Sequence, residues 1–132
     1  MAVSARTQEH DPGQSHVNEV RLRGRLAAIA LERTLPSGDV VATFRIVVDR
    51  PPVRPGSPST AKVDTLDCAA FRADARRRLA RIAPGEVIEV EGSLRRRFYR
   101  AGAAAASRYE VEVRTLARAS RSSTVGRGTM TG

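Results

Sequence analysis

The sequence predicts an all-β domain with one helix. Three observations carry that expectation. Apolar residues alternate with a period of two in five short stretches, one stretch between the third and the fourth changes to a helical period, and proline and glycine cluster between the stretches. In the first strand Val20, Leu22, Gly24 and Leu26 alternate with Arg21, Arg23 and Arg25, so one face is apolar and the other cationic. The turn Leu35, Pro36, Ser37, Gly38, Asp39 closes a hairpin into a second strand, Val40 to Val48, on which Phe44 and Ile46 share a face. Asp49 to Ala61 holds Pro51, Pro52, Pro55 and Pro58, and a segment so poor in backbone N–H groups cannot sit inside a sheet.

Val63 to Ala70 resumes strand character as the third strand. From Phe71 to Ala83 the period changes: Phe71, Ala75, Leu79 and Ile82 fall on one helical stripe, with Arg72, Arg76, Arg77 and Arg81 off it, and Pro84 and Gly85 stop the helix. Val87 to Leu94 is the fourth strand and runs on through Arg95 to Tyr99. An Ala- and Gly-rich turn, Ala101 to Ala106, leads to the fifth, Ser107 to Leu116. Five short strands must close their edges, and a helix between strands 3 and 4 is the arrangement of the OB-fold, a five-stranded Greek-key barrel with the helix plugging one end. An immunoglobulin-like sandwich would need about seven strands and no such helix.

A length of 132 residues allows one domain of ordinary size. Residues 18–118 form it, and 1–17 and 119–132, rich in Ser, Thr, Gly and Gln, read as disordered tails. The formal net charge is +9, and Lys62 is the single lysine among 23 basic residues. The N-terminal segment carries Arg6, Glu9 and Asp11 and the C-terminal one Arg121 and Arg127, so the excess belongs to the folded body and points to a polyanionic partner. Cys68 stands alone, which excludes an intrachain disulfide, and its place in an apolar strand reads as a buried hydrophobe. With no apolar leader and no run of 18 apolar residues, a cytoplasmic, nucleoid-associated protein is expected, with no membrane partner.

Catalytic arrangements find no support. His10 and His16 lie in the N-terminal tail, away from any nucleophile; Lys62 lacks a phosphate-loop context; and the Gly126 to Gly132 stretch reads as flexible tail. Glu89 and Glu91, like Glu110 and Glu112, share a strand face among many arginines and are expected to pair with them or face water. No enzymatic activity, cofactor or metal is expected. The helix arginines, Arg72, Arg76, Arg77, Arg78 and Arg81, read as a solvated charge run. The strand clusters say more: Arg21, Arg23 and Arg25 repeat at about 7 Å, a spacing suited to an extended phosphate backbone. Arg95, Arg96, Arg97 and Arg100 flank Phe98 and Tyr99, and arginine both bonds phosphate and stacks on a base plane.

Asn18 to Leu26 resembles the opening strand of bacterial single-stranded DNA-binding proteins. The Ser37, Gly38 turn before Val41 to Val48 is similar to their second strand, Phe71 with the Arg-rich helix, Pro84, Gly85 and Val90 to Arg95 to their helix and fourth strand, and Arg108 to Val113 to their last. The resemblance spans residues 18–116. It implies an OB-fold that wraps single-stranded DNA in replication, recombination or repair, usually as a homotetramer. By resemblance, Phe71 and Tyr99 match two of the family's stacking aromatics, whereas Thr65 stands where tryptophan is usual. Fewer rings shift the balance toward phosphate contacts. The DNA-binding residues expected are Arg21, Arg23, Arg25, Arg45, Phe71, Arg95, Arg97 and Tyr99. The family's main members end in an acidic tip that recruits replication and repair enzymes, but no acidic residue follows Glu112, so recruitment by that route is not expected and a divergent or accessory paralogue is. Two other readings stay open: an interaction protein of primosome type that forms mixed oligomers, and an RNA-binding OB protein.

Overall fold

Among the described residues the chain forms six strands, most of them built on alternating apolar residues, and one helix: β1 (Val20–Leu26), β2 (Leu31–Thr34), β3 (Val40–Asp49), β4 (Val63–Ala70), α1 (Ala73–Leu79), β5 (Val87–Ala101) and β6 (Ala104–Arg118). The computed structural model describes residues 15–52, 54–58 and 60–119. The expectations for the tails at 1–14 and 120–132, with His10 and the Gly126 to Gly132 stretch, lie outside these. The sheet is mixed, in the order β1-β5-β6-β4-β3-β2, with β4 and β6 parallel and the other pairs antiparallel. Strand β1 also meets β3, at Arg25↔Val47 and Leu26↔Ile46, so the pairing returns to the strand where it began. The result is an all-β domain with one helix and an OB-fold-like sheet.

Two details of the expected fold need correction. Among the described residues there are six strands, not five: β2 lies before the Leu35 to Asp39 turn and pairs with β3 from Leu31↔Thr43 to Thr34↔Val40. All four of its side chains are exposed, so it has no apolar alternation to read. The helix is also shorter than Phe71 to Ala83. Phe71 precedes it, and after Leu79 the backbone tightens, Arg81 and Ile82 donating to the carbonyls of Arg78 and Leu79. The chain must turn there, because Gly85 N–H reaches back to the Leu26 carbonyl at 2.8 Å.

One face of the sheet supplies the core. Leu26, Phe44, Ile46, Cys68, Ile88, Val90, Val113 and Leu116 are buried there, and Ala75 and Leu79 of α1 cover one end. The strands cross closely at two glycines: a Cβ on Gly24 would strike the Val47 carbonyl, and one on Gly92, at the bulge between Glu91 and Gly92, would strike that of Glu112. Asn18 extends the β1–β5 ladder with its side chain, accepting from the Leu94 N–H and donating to the Leu94 carbonyl, both at 2.8 Å.

Candidate nucleic-acid interface

A strand that buries alternate residues must present the others outward. On β3 this second row is Val41, Thr43, Arg45 and Val47; on β4, Thr65, Asp67 and Ala69; on the β5–β6 hairpin, Arg95, Arg97 and Tyr99 with Arg108, Glu110 and Glu112, and within it Val41, Ala69 and Glu110 are buried while the rest reach the surface. Together with β2 and Phe71 they form two adjoining grooves. The first, about 430 Å³, is lined by Ile29, Leu31, Thr43, Arg45, Val47, Thr65 and Asp67. The second, about 440 Å³, is lined by Arg33, Leu35, Val41, Phe71, Arg97, Phe98 and Tyr99. Thr43, Arg108 and Glu110 line both, so the grooves share a wall.

Rings and cations are paired inside the second groove. The Arg97 guanidinium lies 5.7 Å from the Phe71 ring centroid and that of Arg108 lies 5.8 Å from the Tyr99 ring. Arg97 is fixed at both ends, donating to Glu110 at 2.8 Å and to Glu112 at 3.0 Å. The Glu110 bond, with the charges of Glu110 and Glu112, raises the Arg97 pKa further and keeps it cationic. Arg76 donates to the Phe71 carbonyl, which ties the ring's backbone to α1. In the first groove Arg45 Nε donates to Asp67 at 2.9 Å, its direct cross-strand partner. The groove therefore carries its own counter-charges.

No group of three or more His, Cys, Asp or Glu side chains that could hold a metal occurs among the described residues. No helix among them is long and apolar enough to cross a membrane. Burial, with the nearby Asp67 and Glu110 charges, pushes the Cys68 thiol up to about 12, so it packs as an inert apolar group.

The sequence model of the Single-strand binding protein family matches residues 17–118. The chain belongs to that family. Among solved structures, the complex of the Plasmodium falciparum single-strand binding protein with single-stranded DNA superposes with a TM-score of 0.69 at 20% identity. The match covers 81% of this chain and 98% of that one, and shows a common fold. No curated protein matches the sequence at a significant level.

In this single-strand binding family member the predicted residues divide into two sets. Arg45, Phe71, Arg97 and Tyr99 line the grooves, and Arg95 shares their strand face, held by Glu112 at 3.2 Å. Arg21, Arg23 and Arg25 line neither groove. They stand on β1 against carboxylates: Arg21 with Glu91 at 3.8 Å, Arg23 with Glu89 at 3.4 Å, Arg25 with Asp49 at 3.3 Å. Glu89 and Glu91 thus pair with arginine, one of the two outcomes expected of them. Two groove cations escaped the sequence reading. Arg33 sits on the unread strand β2 and makes no ion pair among the described residues; Arg108 faces Arg97 across the hairpin, a signal available from its parity with Glu110.

Proposed function

We propose that the chain binds single-stranded DNA with little regard to sequence, along the two adjoining grooves, in replication, recombination or repair. The observation that carries this is the gathering of Phe71, Tyr99, Arg97 and Arg108 in one groove that shares a wall with a second containing Arg45. Phe71 and Tyr99 offer ring faces to unpaired bases, and every base has such a face, so the contact is tolerant of sequence. Arg45, Arg95, Arg97 and Arg108 meet phosphates or stack on bases beside them. Arg21, Arg23 and Arg25 flank this path as further phosphate contacts that keep their pairs with Glu91, Glu89 and Asp49. No catalytic step and no cofactor belong to this function.

Residues 18–118 are the binding domain in this reading, with β1, β3, β4, β5 and β6 closed as a Greek-key barrel and β2 outside it. Resemblance to the bacterial proteins supports a homotetramer in the cytoplasm, and Thr65 in place of a ring supports an accessory paralogue. The test is a titration of labelled oligo-dT and of duplex DNA at two salt concentrations, with Phe71→Ala and Tyr99→Ala alongside. Binding of oligo-dT that weakens with salt and falls in both variants is expected. Equal affinity for duplex and single strand would remove the stacking reading, and tighter binding of the matching RNA would move the function to RNA.

A further inference from the structure

Even-numbered residues of β5 begin as core: Ile88 and Val90 are completely buried. The same row continues past the end of the body, because the β5–β6 hairpin is longer than the strands it packs on, and there Phe98 is 72% exposed and Tyr109, opposite Arg96 on β6, 57%. Between the two rings lies Arg96. Its guanidinium is 5.1 Å from the Phe98 centroid and 5.7 Å from that of Tyr109, and its Nε donates to Ser107 at 3.3 Å. Arg95 and Arg97 are held by Glu112 and Glu110, whereas Arg96 makes no ion pair among the described residues. This is the reverse side of the hairpin from Arg97 and Tyr99.

We propose that this reverse face is a second single-strand binding surface, taking further nucleotides of the strand after it rounds the hairpin at Phe98. The inference rests on the function proposed above and extends it. Phe98 provides the continuity, since this residue, at the hairpin's edge, also lines the groove that holds Tyr99. Charge selects the occupant. A second copy packing its own apolar residues here would bury an unpaired guanidinium without a counter-charge, at a high desolvation cost. A single strand brings a phosphate to Arg96 and bases to the two rings flanking it. A duplex has no unstacked base to offer.

The chain contains no tryptophan and two tyrosines, Tyr99 and Tyr109, so its own emission can test the proposal. In the full chain carrying Tyr99→Phe, Tyr109 is the sole tyrosine. Labelled dT oligomers of increasing length are titrated while anisotropy reports binding and tyrosine emission reports stacking. Quenching of Tyr109 is expected only above a threshold length. In Arg96→Gln, the gain in affinity between the shortest and longest oligomers is expected to shrink by roughly tenfold. Bound oligomers of every length with unchanged Tyr109 emission would overturn the proposal. So would a change in emission that follows protein concentration without DNA, which gives the face to self-association. Failure of the unaltered chain to bind any oligomer is a separate result, visible in the anisotropy alone, and removes the function on which the proposal stands.

Discussion

At the floor of the first groove the Asp67 carboxylate occupies the hydrogen-bonding edge of Arg45 that a phosphate would need. Both side chains are substantially exposed, and a pair of that kind contributes about 0–1 kcal/mol to folding. Asp67→Asn therefore leaves the fold nearly as stable and releases the cation. Affinity for oligo-dT at low salt is expected to rise, and the slope of log K against log salt to steepen by about 0.7, one additional single-strand phosphate contact. Anisotropy titrations across a salt series measure both, and an unchanged slope would mean that Arg45 makes no phosphate contact. A neighbouring residue reports on folding instead. Cys68 is 1% exposed with its thiol held neutral, so a thiol reagent at pH 8 is expected to label it only as fast as the structure opens, while the denatured chain reacts at once.

Strand β1 tests the packing of elements, because Gly24 lets it cross against β3 at the Val47 carbonyl. The Gly24→Ala variant forces two backbones apart, and a loss of about 1–3 kcal/mol is expected, read as a fall in thermal midpoint of at least several degrees. Crossings of this kind mark the limit of what the order of residues reveals. Strands β1, β3, β4 and β5 were legible because each carries strand-like apolar sequence, cleanly alternating in burial over residues 42–46 and 88–92, and Val63–Ala70 begins and ends where its pattern does. Strand β2 was not, having no buried side chain. Phe71 fits a helical stripe with Ala75 and Leu79, yet it lies just before α1 with its ring in the groove, since a helical period does not mark where a helix begins. The hairpin residues Arg97 and Tyr99 share a face by parity alone. The partners of Arg21 and Arg23 depend instead on the register of β1 against a strand some 65 residues later, Arg21↔Glu91 and Arg23↔Glu89, which no local pattern encodes.

Over the whole molecule the 23 basic residues overstate the cations that DNA meets, because so many of them are matched by acids at the surface. Acid exposes this matching. Hydrogen bonds from Arg50, Arg72 and Arg118 lower the pKa of Asp64, Asp74 and Glu86 respectively. A carboxylate whose folded pKa lies below its unfolded one contributes stability that is complete above the unfolded value, about 4, and is lost as pH falls through the folded value. Thermal midpoints are thus expected to be level with respect to these three groups from pH 7 to about 5 and to drop below 4, with Glu86→Gln flattening the drop. Salt sensitivity of DNA binding follows from the same matching. If Arg21, Arg23, Arg25, Arg45, Arg95 and Arg97 each neutralised a phosphate at no internal cost, log K would fall with log salt at a slope of about −4. Each of the six instead already faces a carboxylate, whereas Arg33 and Arg96 make no ion pair among the described residues. A strand that leaves the internal pairs in place releases counterions chiefly at Arg33 and Arg96. The expected slope is about −1.4, and it should shrink by about 0.7 in Arg33→Gln but much less in Arg21→Gln. A slope of −4 or steeper, with equal losses in the two variants, would show that DNA displaces the carboxylates and that all the strand arginines share the work.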